Sequence, residues 1–504
     1  MTSNRGFTGV QLISWLCLLI LTGSLPATRI EAQSSSGAAD HAADRKTPAA
    51  SVPALMVSDI HFDPFHDPAK VSQLVHAPLG QWNSILSSPS SPNQQPAFAS
   101  LQQTCGARGV DTPYALLTSS LQAMRAQRPD AKFITVSGDL IAHNFTCRYT
   151  TLLPGSSASD YEAFVVKTIA FVESQLRASF PGVPVYVALG NNDTGCGDYR
   201  LDAASGFLAH TGAVLAQGLP ASERQEAMRD FAKGGYYSVL MGPPMQNTRL
   251  IVVNDLFLSP KYSTCAGKPD PAAAGTQMAW LKEQLAQSRG LGQKVWVMAH
   301  IPPGIDPYST VRKFKDVCGS EGPEMFLSSD KLADLLIEYA DVVKLGIFAH
   351  THMDEVRLLK PEPADPHAAR DRGVVLKLVS SISPVDGNNP SFTVASVDPS
   401  TSVLQDYEVI AASNQTGIAT VWSREYDYAQ TYRETQFSPA AVEQLIADFE
   451  ADHGAKTQAS EDYIRNYYVG ARLPEIKPFW PQYVCSLANH TARGFAGCVC
   501  SSGK

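Results

Sequence analysis

Apolar positions fall into short β-branched runs separated by stretches with helical spacing. Residues 52–57, 133–136, 184–189, 250–253, 295–298 and 345–348 each read as a buried strand. Between them, residues 161–180 carry Phe164, Phe171 and Leu176 at helical spacing and stop at Pro181-Gly182. Thr276 caps a second helix with Met278, Leu281 and Leu285, and residues 332–339 form a third. Strand and helix in alternation predict an α/β architecture. Residues 374–379, 392–397 and 403–409 predict closing antiparallel strands, and no internal repeat is visible. Stretches around 87–95 and 361–372, rich in Pro, Ser, Asp or Ala, read as loops.

The two ends differ from this middle. Arg5 precedes an apolar run over 10–21, broken only by Gln11 and Ser14, and small residues with Pro26 follow. This pattern predicts a signal peptide over 1–32, with cleavage after Ala27 or Ala32. The run is short for a spanning helix. Residues 33–51 are small and polar and read as a flexible linker. The main domain is expected over 52–410. Composition shifts near Ala411 to an aromatic-rich region, followed by a helix with Ser438 as N-cap and Pro439 in its first turn. A small helical C-terminal domain is therefore expected over 411–504.

Charge and cysteine content narrow the classes. The net charge of −8 comes without a basic block, so no nucleic-acid patch is expected. No second long apolar run suggests a membrane span after signal removal, and a monomer is expected. Cys17 lies in the signal. The other eight cysteines, an even number in an exported chain, predict disulfides. Cys498 and Cys500 are so close that at least one is expected to pair with Cys485. The expected location is secreted or periplasmic.

The chemistry lies where the strands end. The runs close on Asp59-Ile-His61, Gly138-Asp139, Gly190-Asn-Asn-Asp193, Ala299-His300 and His350-Thr-His352. Alternation along an extended chain puts Asp59 and His61 on one side. The C-terminal ends of strands in one α/β sheet converge on a shared crevice. Imidazole, carboxylate and amide oxygen together suit Zn, Fe or Mn better than calcium. Asp59, His61, Asp139, Asn191, His300, His350 and His352 exceed one metal's needs and fit two divalent ions bridged by a carboxylate. One such motif is weak evidence, but five in order are strong.

This set resembles the calcineurin-like metallophosphoesterases, whose pattern runs Asp-x-His, Gly-Asp, Gly-Asn-His-Asp/Glu, a lone His, then Gly-His-x-His. Within them the chain is similar to the acid sphingomyelinase-like phosphodiesterase and endopolyphosphatase branch. Gly138-Asp-Leu-Ile-Ala-His143, His300-Ile-Pro-Pro-Gly304 and Ser383-Pro-Val-Asp-Gly-Asn-Asn-Pro390 carry that likeness, with Gln405-Asp-Tyr407 and the Cys485-to-Cys498 tail. The resemblance implies a four-layer α/β/β/α sandwich. It gives Asp59, His61 and His352 to one metal and Asn191, His300 and His350 to the other, with Asp139 bridging. It also places His143 near the leaving group.

Two residues depart from the pattern. Ala349 stands for the usual Gly before the last histidine pair. Asn192 stands where many members carry a histidine that acts on substrate. Asn can hydrogen-bond a phosphoryl oxygen but cannot donate a proton at a useful pKa. An endopolyphosphatase-like subgroup carries the same Gly-Asn-Asn-Asp.

The expectation is an exported hydrolase using two divalent metals, zinc first with iron or manganese as alternatives. It acts on a small or polymeric phosphate ester or anhydride, with His143 and Asn192 as catalytic residues. The alternatives are an endopolyphosphatase-like anhydride hydrolase and a non-catalytic metal-dependent binding protein on the same scaffold. The 34–51 stretch is too short and polar for a saposin-like lipid-presenting domain, which weighs against a sphingolipid substrate. His66 and His76 read as solvent-exposed. Asn144, Asn414 and Asn489 begin glycosylation sequons.

Overall fold

The computed structural model describes residues 51–361, 373–471 and 476–501. The expected signal peptide, nearly all of the linker and most of the 361–372 loop lie outside these residues. Among the described residues, strands β1 (Val52–Val57), β2 (Ile134–Val136) and β3 (Val185–Val187) come first. Next are β4 (Tyr237–Leu240), β5 (Thr248–Val252), β6 (Lys294–Met298) and β7 (Val343–Phe348). The last five are β8 (Glu355–Leu359), β9 (Val374–Leu378), β10 (Ser391–Val397), β11 (Leu404–Ala412) and β12 (Trp422–Asp427). They form two six-stranded sheets, ordered β12-β11-β10-β1-β2-β3 and β4-β5-β6-β7-β9-β8.

Side-chain alternation explains the layering. In β6, Trp296 and Met298 join the core shared with the first sheet, while Val295 and Val297 point to the opposite face. There they meet Leu281 and Leu285 of helix Pro271–Gly290 and Leu332 and Leu336 of helix Lys331–Glu338. Trp296 sets its ring 5.7 Å from Phe133 in a T-shaped contact and donates from Nε1 to Ser402 O at 2.8 Å. Sheet therefore packs on sheet, with helices outside: the four-layer α/β/β/α sandwich. Both faces of the central strands are covered, which is why β1 is apolar throughout.

The expectation of one sheet for all the strand ends needs correction. β1, β2 and β3 run parallel in the first sheet, whereas β5, β6 and β7 run parallel in the second. Similarly, β9 is antiparallel to β8 but parallel to β7, so it extends the second sheet. The loop expected over 87–95 is narrower, because helix Gln94–Thr104 already begins at Gln94.

The 410/411 boundary falls inside β11, and β12 beyond it adds an edge to the first sheet. Helices Pro439–Ala451, Gln458–Tyr467, Trp480–Ala488 and Ala492–Ser501 follow. Ser438 does cap the first of these, accepting from Ala441 N at 3.3 Å. Val442, Phe449, Tyr463 and Trp480 from them belong to the same core as the sheets. Disulfides link Cys105–Cys147, Cys196–Cys265, Cys318–Cys500 and Cys485–Cys498. The expected return to Cys485 is made by Cys498.

Candidate metal centre

The ends of the two sheets meet at one buried cluster. Asp59 and His61 leave β1, Asp139 leaves β2 and Asn191 follows β3. His300 follows β6, and His350 and His352 follow β7. At these ends the chain turns abruptly. Asp59, His61, Asp139, His350 and His352 have φ of 44°, 43°, 55°, 73° and 65°. Non-glycine residues seldom take this left-handed conformation, which costs about 1–3 kcal/mol each and persists only where surroundings impose it. Five such residues in one cluster indicate a shape kept for function. Gly138 shows how tight the turn is: at φ +102° a Cβ there would lie 2.7 Å from His300 Nδ1. Ala349 is not left-handed, so a methyl group is tolerated in place of the usual glycine.

The donor atoms face one another. Asp139 Oδ2 lies 3.5 Å from His61 Nε2 and 3.2 Å from His300 Nε2, between two groups of ligands. On one side, His352 Nε2 is 3.1 Å from His61 Nε2 and 3.4 Å from Asp59 Oδ1. On the other, His350 Nδ1 is 3.2 Å from His300 Nε2.

Second contacts fix which atom each residue presents. His61 Nδ1 and His300 Nδ1 donate to the carbonyls of Ile141 and Ser137, each at 2.9 Å, leaving both Nε2 lone pairs facing the cluster. Asn191 Nδ2 donates to Asp198 Oδ1 at 2.7 Å, so its Oδ1 is the free atom.

Both Asp59 carboxylate oxygens and Asn191 Oδ1 are buried without hydrogen-bond partners. Such atoms are costly unless a cation meets them. Burial works against charge throughout, yet Asp139 and Asp59 bring His61 up to about 9 and His300 up to about 10. Burial and the His300 charge push His350 down to about 3. Against its own burial, Asp59 is held at about 2 by His352, His61 and His300. The carboxylates thus favour positive charge at the centre of the cluster, which a divalent ion would supply while leaving the Nε2 lone pairs free to bind it. The donor set fits two ions, with Asp139 shared.

Asp193 is structural: its carboxylate accepts from the backbone N–H of Leu140, Ile141 and Gly190 at 2.8, 3.1 and 2.9 Å, tying two ligand loops together. Asn192, expected to face substrate, instead donates from Nδ2 to Asp139 Oδ2 at 2.9 Å. Its backbone N–H donates to Asp139 Oδ1, also at 2.9 Å.

His143 stacks on the His61 ring at 3.9 Å and is one-third exposed. Its Nδ1 donates to Asp111 Oδ1 at 2.8 Å and its backbone N–H to Asp111 Oδ2 at 3.0 Å. Arg148 clamps Asp111 in turn, at 3.3 Å, and also bonds Asp63 at 2.6 Å. Asp111, Arg148 and Asp198 escaped the sequence reading. Asp198 lies close behind the Gly-Asn-Asn-Asp motif, and Asp386, 3.4 Å from His352 Nδ1, sits within the quoted Ser383-Pro-Val-Asp stretch. His76 is exposed as expected, but His66 is half-buried against Gln94.

Among the described residues, no helix is long and apolar enough to cross a membrane. The model of the calcineurin-like phosphoesterase family matches residues 52–354. The human cyclic GMP-AMP phosphodiesterase SMPDL3A is 27% identical over 350 residues, covering 67% of this chain and 69% of that one. Sphingomyelinase phosphodiesterase C of Dictyostelium discoideum is 25% identical over 401 residues, covering 77% of this chain and 82% of that one. Among solved structures, a dimetal phosphatase from Danio rerio aligns with 12% identity and a TM-score of 0.38, covering 74% of this chain and 98% of that one.

Proposed function

The chain belongs to the calcineurin-like phosphoesterase family and is a hydrolase of phosphoester bonds; from that premise we propose an exported enzyme that cleaves a phosphodiester or phosphoanhydride with two zinc ions. One observation carries the reading: the Asp139 carboxylate lies between His61 and His300, each of which faces a further imidazole. Asp59, His61 and His352 would hold one ion and Asn191, His300 and His350 the other, with Asp139 common to both. When bound, such ions lower the pKa of a water and take up charge on phosphoryl oxygens.

The protein's own groups do the rest. Asp111 holds the Nδ1 proton of His143, so in the imidazolium the second proton, on Nε2, is the one that would pass to the departing oxygen and leave the neutral Nδ1–H ring. Asn192 grips the shared carboxylate and gives no proton. The near-complete burial of the ligands keeps bulk water from the charges they hold. The four disulfides support an extracytoplasmic location.

The test is hydrolysis of bis(4-nitrophenyl) phosphate by the mature protein before chelation, after it, and after zinc is restored. Loss and recovery of rate are expected. A rate indifferent to chelation sinks the metal reading, and no rate with zinc present favours a binding protein on this scaffold.

A further inference from the structure

Two cavities meet at the ligand cluster. One, of about 410 Å³, holds Asp139, Asn191 and His143. The other, of about 450 Å³, extends past Phe326 and Tyr308 to Arg312. Arg108, His350 and Asp386 line both. The shared lining gives a molecule held at the cluster and longer than one phosphoryl group a route into the second chamber past Arg108.

The cations on the cluster side are not equivalent. Arg148 is committed to Asp63 and Asp111. Lys261 lies 4.8 Å from the Tyr199 ring centre, with its Nζ 3.4 Å from the Tyr199 hydroxyl. Among the described residues, Arg108 has neither an ion-pair nor a hydrogen-bond partner, and the same holds for Arg312.

A solvated arginine on a loose loop would mean little, but this loop is held at three points. The Cys105–Cys147 disulfide joins its root to helix Phe145–Leu152, which begins two residues after His143. Gln102 Nε2 donates to Gly109 O at 3.0 Å. Gly109 packs so closely on the 385 backbone that a Cβ would lie 2.5 Å from Val385 O. The backbone that carries the exposed Arg108 side chain is therefore held in place beside the candidate metal ligands.

We propose that Arg108 is a specificity-determining residue that binds a second phosphate of the substrate, next to the scissile one and on the side of the second chamber. Its planar fork matches phosphate oxygens bidentately, a geometry a lysine cannot reproduce. The substrate class is then a molecule with at least two phosphates, condensed or joined by a short spacer. A diester with two neutral arms leaves Arg108 without a role. The inference rests on the phosphoesterase reading above.

The experiment compares wild type, Arg108→Ala and Arg108→Lys on three probes. Bis(4-nitrophenyl) phosphate has one anionic group, inorganic tripolyphosphate has condensed phosphates, and 5′-phosphorylated thymidine dinucleotide has spaced ones. The readout is kcat/KM on each phosphorylated probe divided by that on bis(4-nitrophenyl) phosphate, a ratio in which any misfolded fraction cancels. For Arg108→Ala this ratio is expected to fall about 10- to 100-fold, mainly through KM, on one phosphorylated probe. The probe that loses identifies the spacing, and Arg108→Lys recovers only part. A ratio unchanged within about twofold on both probes overturns the inference. So does a wild-type protein that cleaves the diester yet neither cleaves nor is inhibited by either phosphorylated probe; the phosphoesterase reading then stands. Protein that cleaves none of the three overturns both.

Discussion

Asp111 Oδ1 accepts a hydrogen bond from His143 Nδ1 at 2.8 Å, and the His143 ring lies 3.9 Å above that of His61. The carboxylate holds the proton on Nδ1, and the ring lines the cavity that holds Asp139, so the proton to be delivered is the one that the imidazolium carries on Nε2. Proton delivery to a poor leaving group is worth roughly 10²–10⁴ in rate. His143→Ala should therefore slow an alkyl phosphodiester by about that factor and a 4-nitrophenyl ester by far less. Steady-state rates on a leaving-group series check this. Equal losses across the series would make His143 a binding or structural residue.

Asp111 should also be felt in stability. Its carboxyl is fully buried, and despite that burial the charges of His143, His61 and Arg148 hold its pKa below the usual range. A depressed carboxyl stabilises above its unfolded pKa of about 3.9 and loses that contribution as pH falls towards its folded value. Asp111→Asn keeps Arg148 paired with Asp63 but weakens its second hydrogen bond, so the expected cost near neutral pH is about 1–3 kcal/mol. Denaturant titrations of both proteins should show the gap closing below about pH 4. A gap that widens in acid contradicts the assignment.

Asn192 leads to a different expectation from that drawn from its position in the motif. Its amide is bound to the shared carboxylate, not aimed at open space. Removing an outer partner of a metal ligand typically costs 10–100-fold in affinity. Asn192→Ala should weaken zinc by about that much in a chelator-competition titration. Unaltered affinity together with a large loss in rate would return Asn192 to a substrate-facing role.

The Cys105–Cys147 bridge closes a loop of sequence separation 42. Chain entropy gives such a loop about 4 kcal/mol. Because the bridge roots the Arg108 loop beside the His143 helix, the double variant Cys105→Ser, Cys147→Ser should lose both stability and rate. Melting curves and kcat/KM, measured on the same preparation, separate the two effects.

The residues that cluster at the proposed centre were legible because they close apolar runs at fixed short spacings: Asp59 and His61, His350 and His352. A buried strand announces itself, and so does a polar residue that ends it. β8 did not, because Glu355 and Arg357 interrupt its pattern; both are buried and paired at 3.1 Å, a match visible only once the chain is folded. β12 is polar and half-exposed at a sheet edge, so it lacks the apolar run of a central strand. Asp111 had no local signal at all. It lies 32 residues before His143 in a loop, and the two meet through contacts that exist only in the folded chain: the backbone bridges from Phe62 to Thr112 and Ile141, the disulfide and the Arg148 clamp. Which sheet each strand joined was equally hidden, since parallel pairing is set by packing between distant segments.

The most direct test of the account is the metal content of protein that has never met a chelator, measured by elemental analysis for wild type and Asp139→Asn. The ligand geometry predicts about two transition-metal ions per chain in wild type, and loss from both positions in the variant, since one carboxylate serves both. One ion or none in wild type, or full content in Asp139→Asn, would contradict the shared-carboxylate centre.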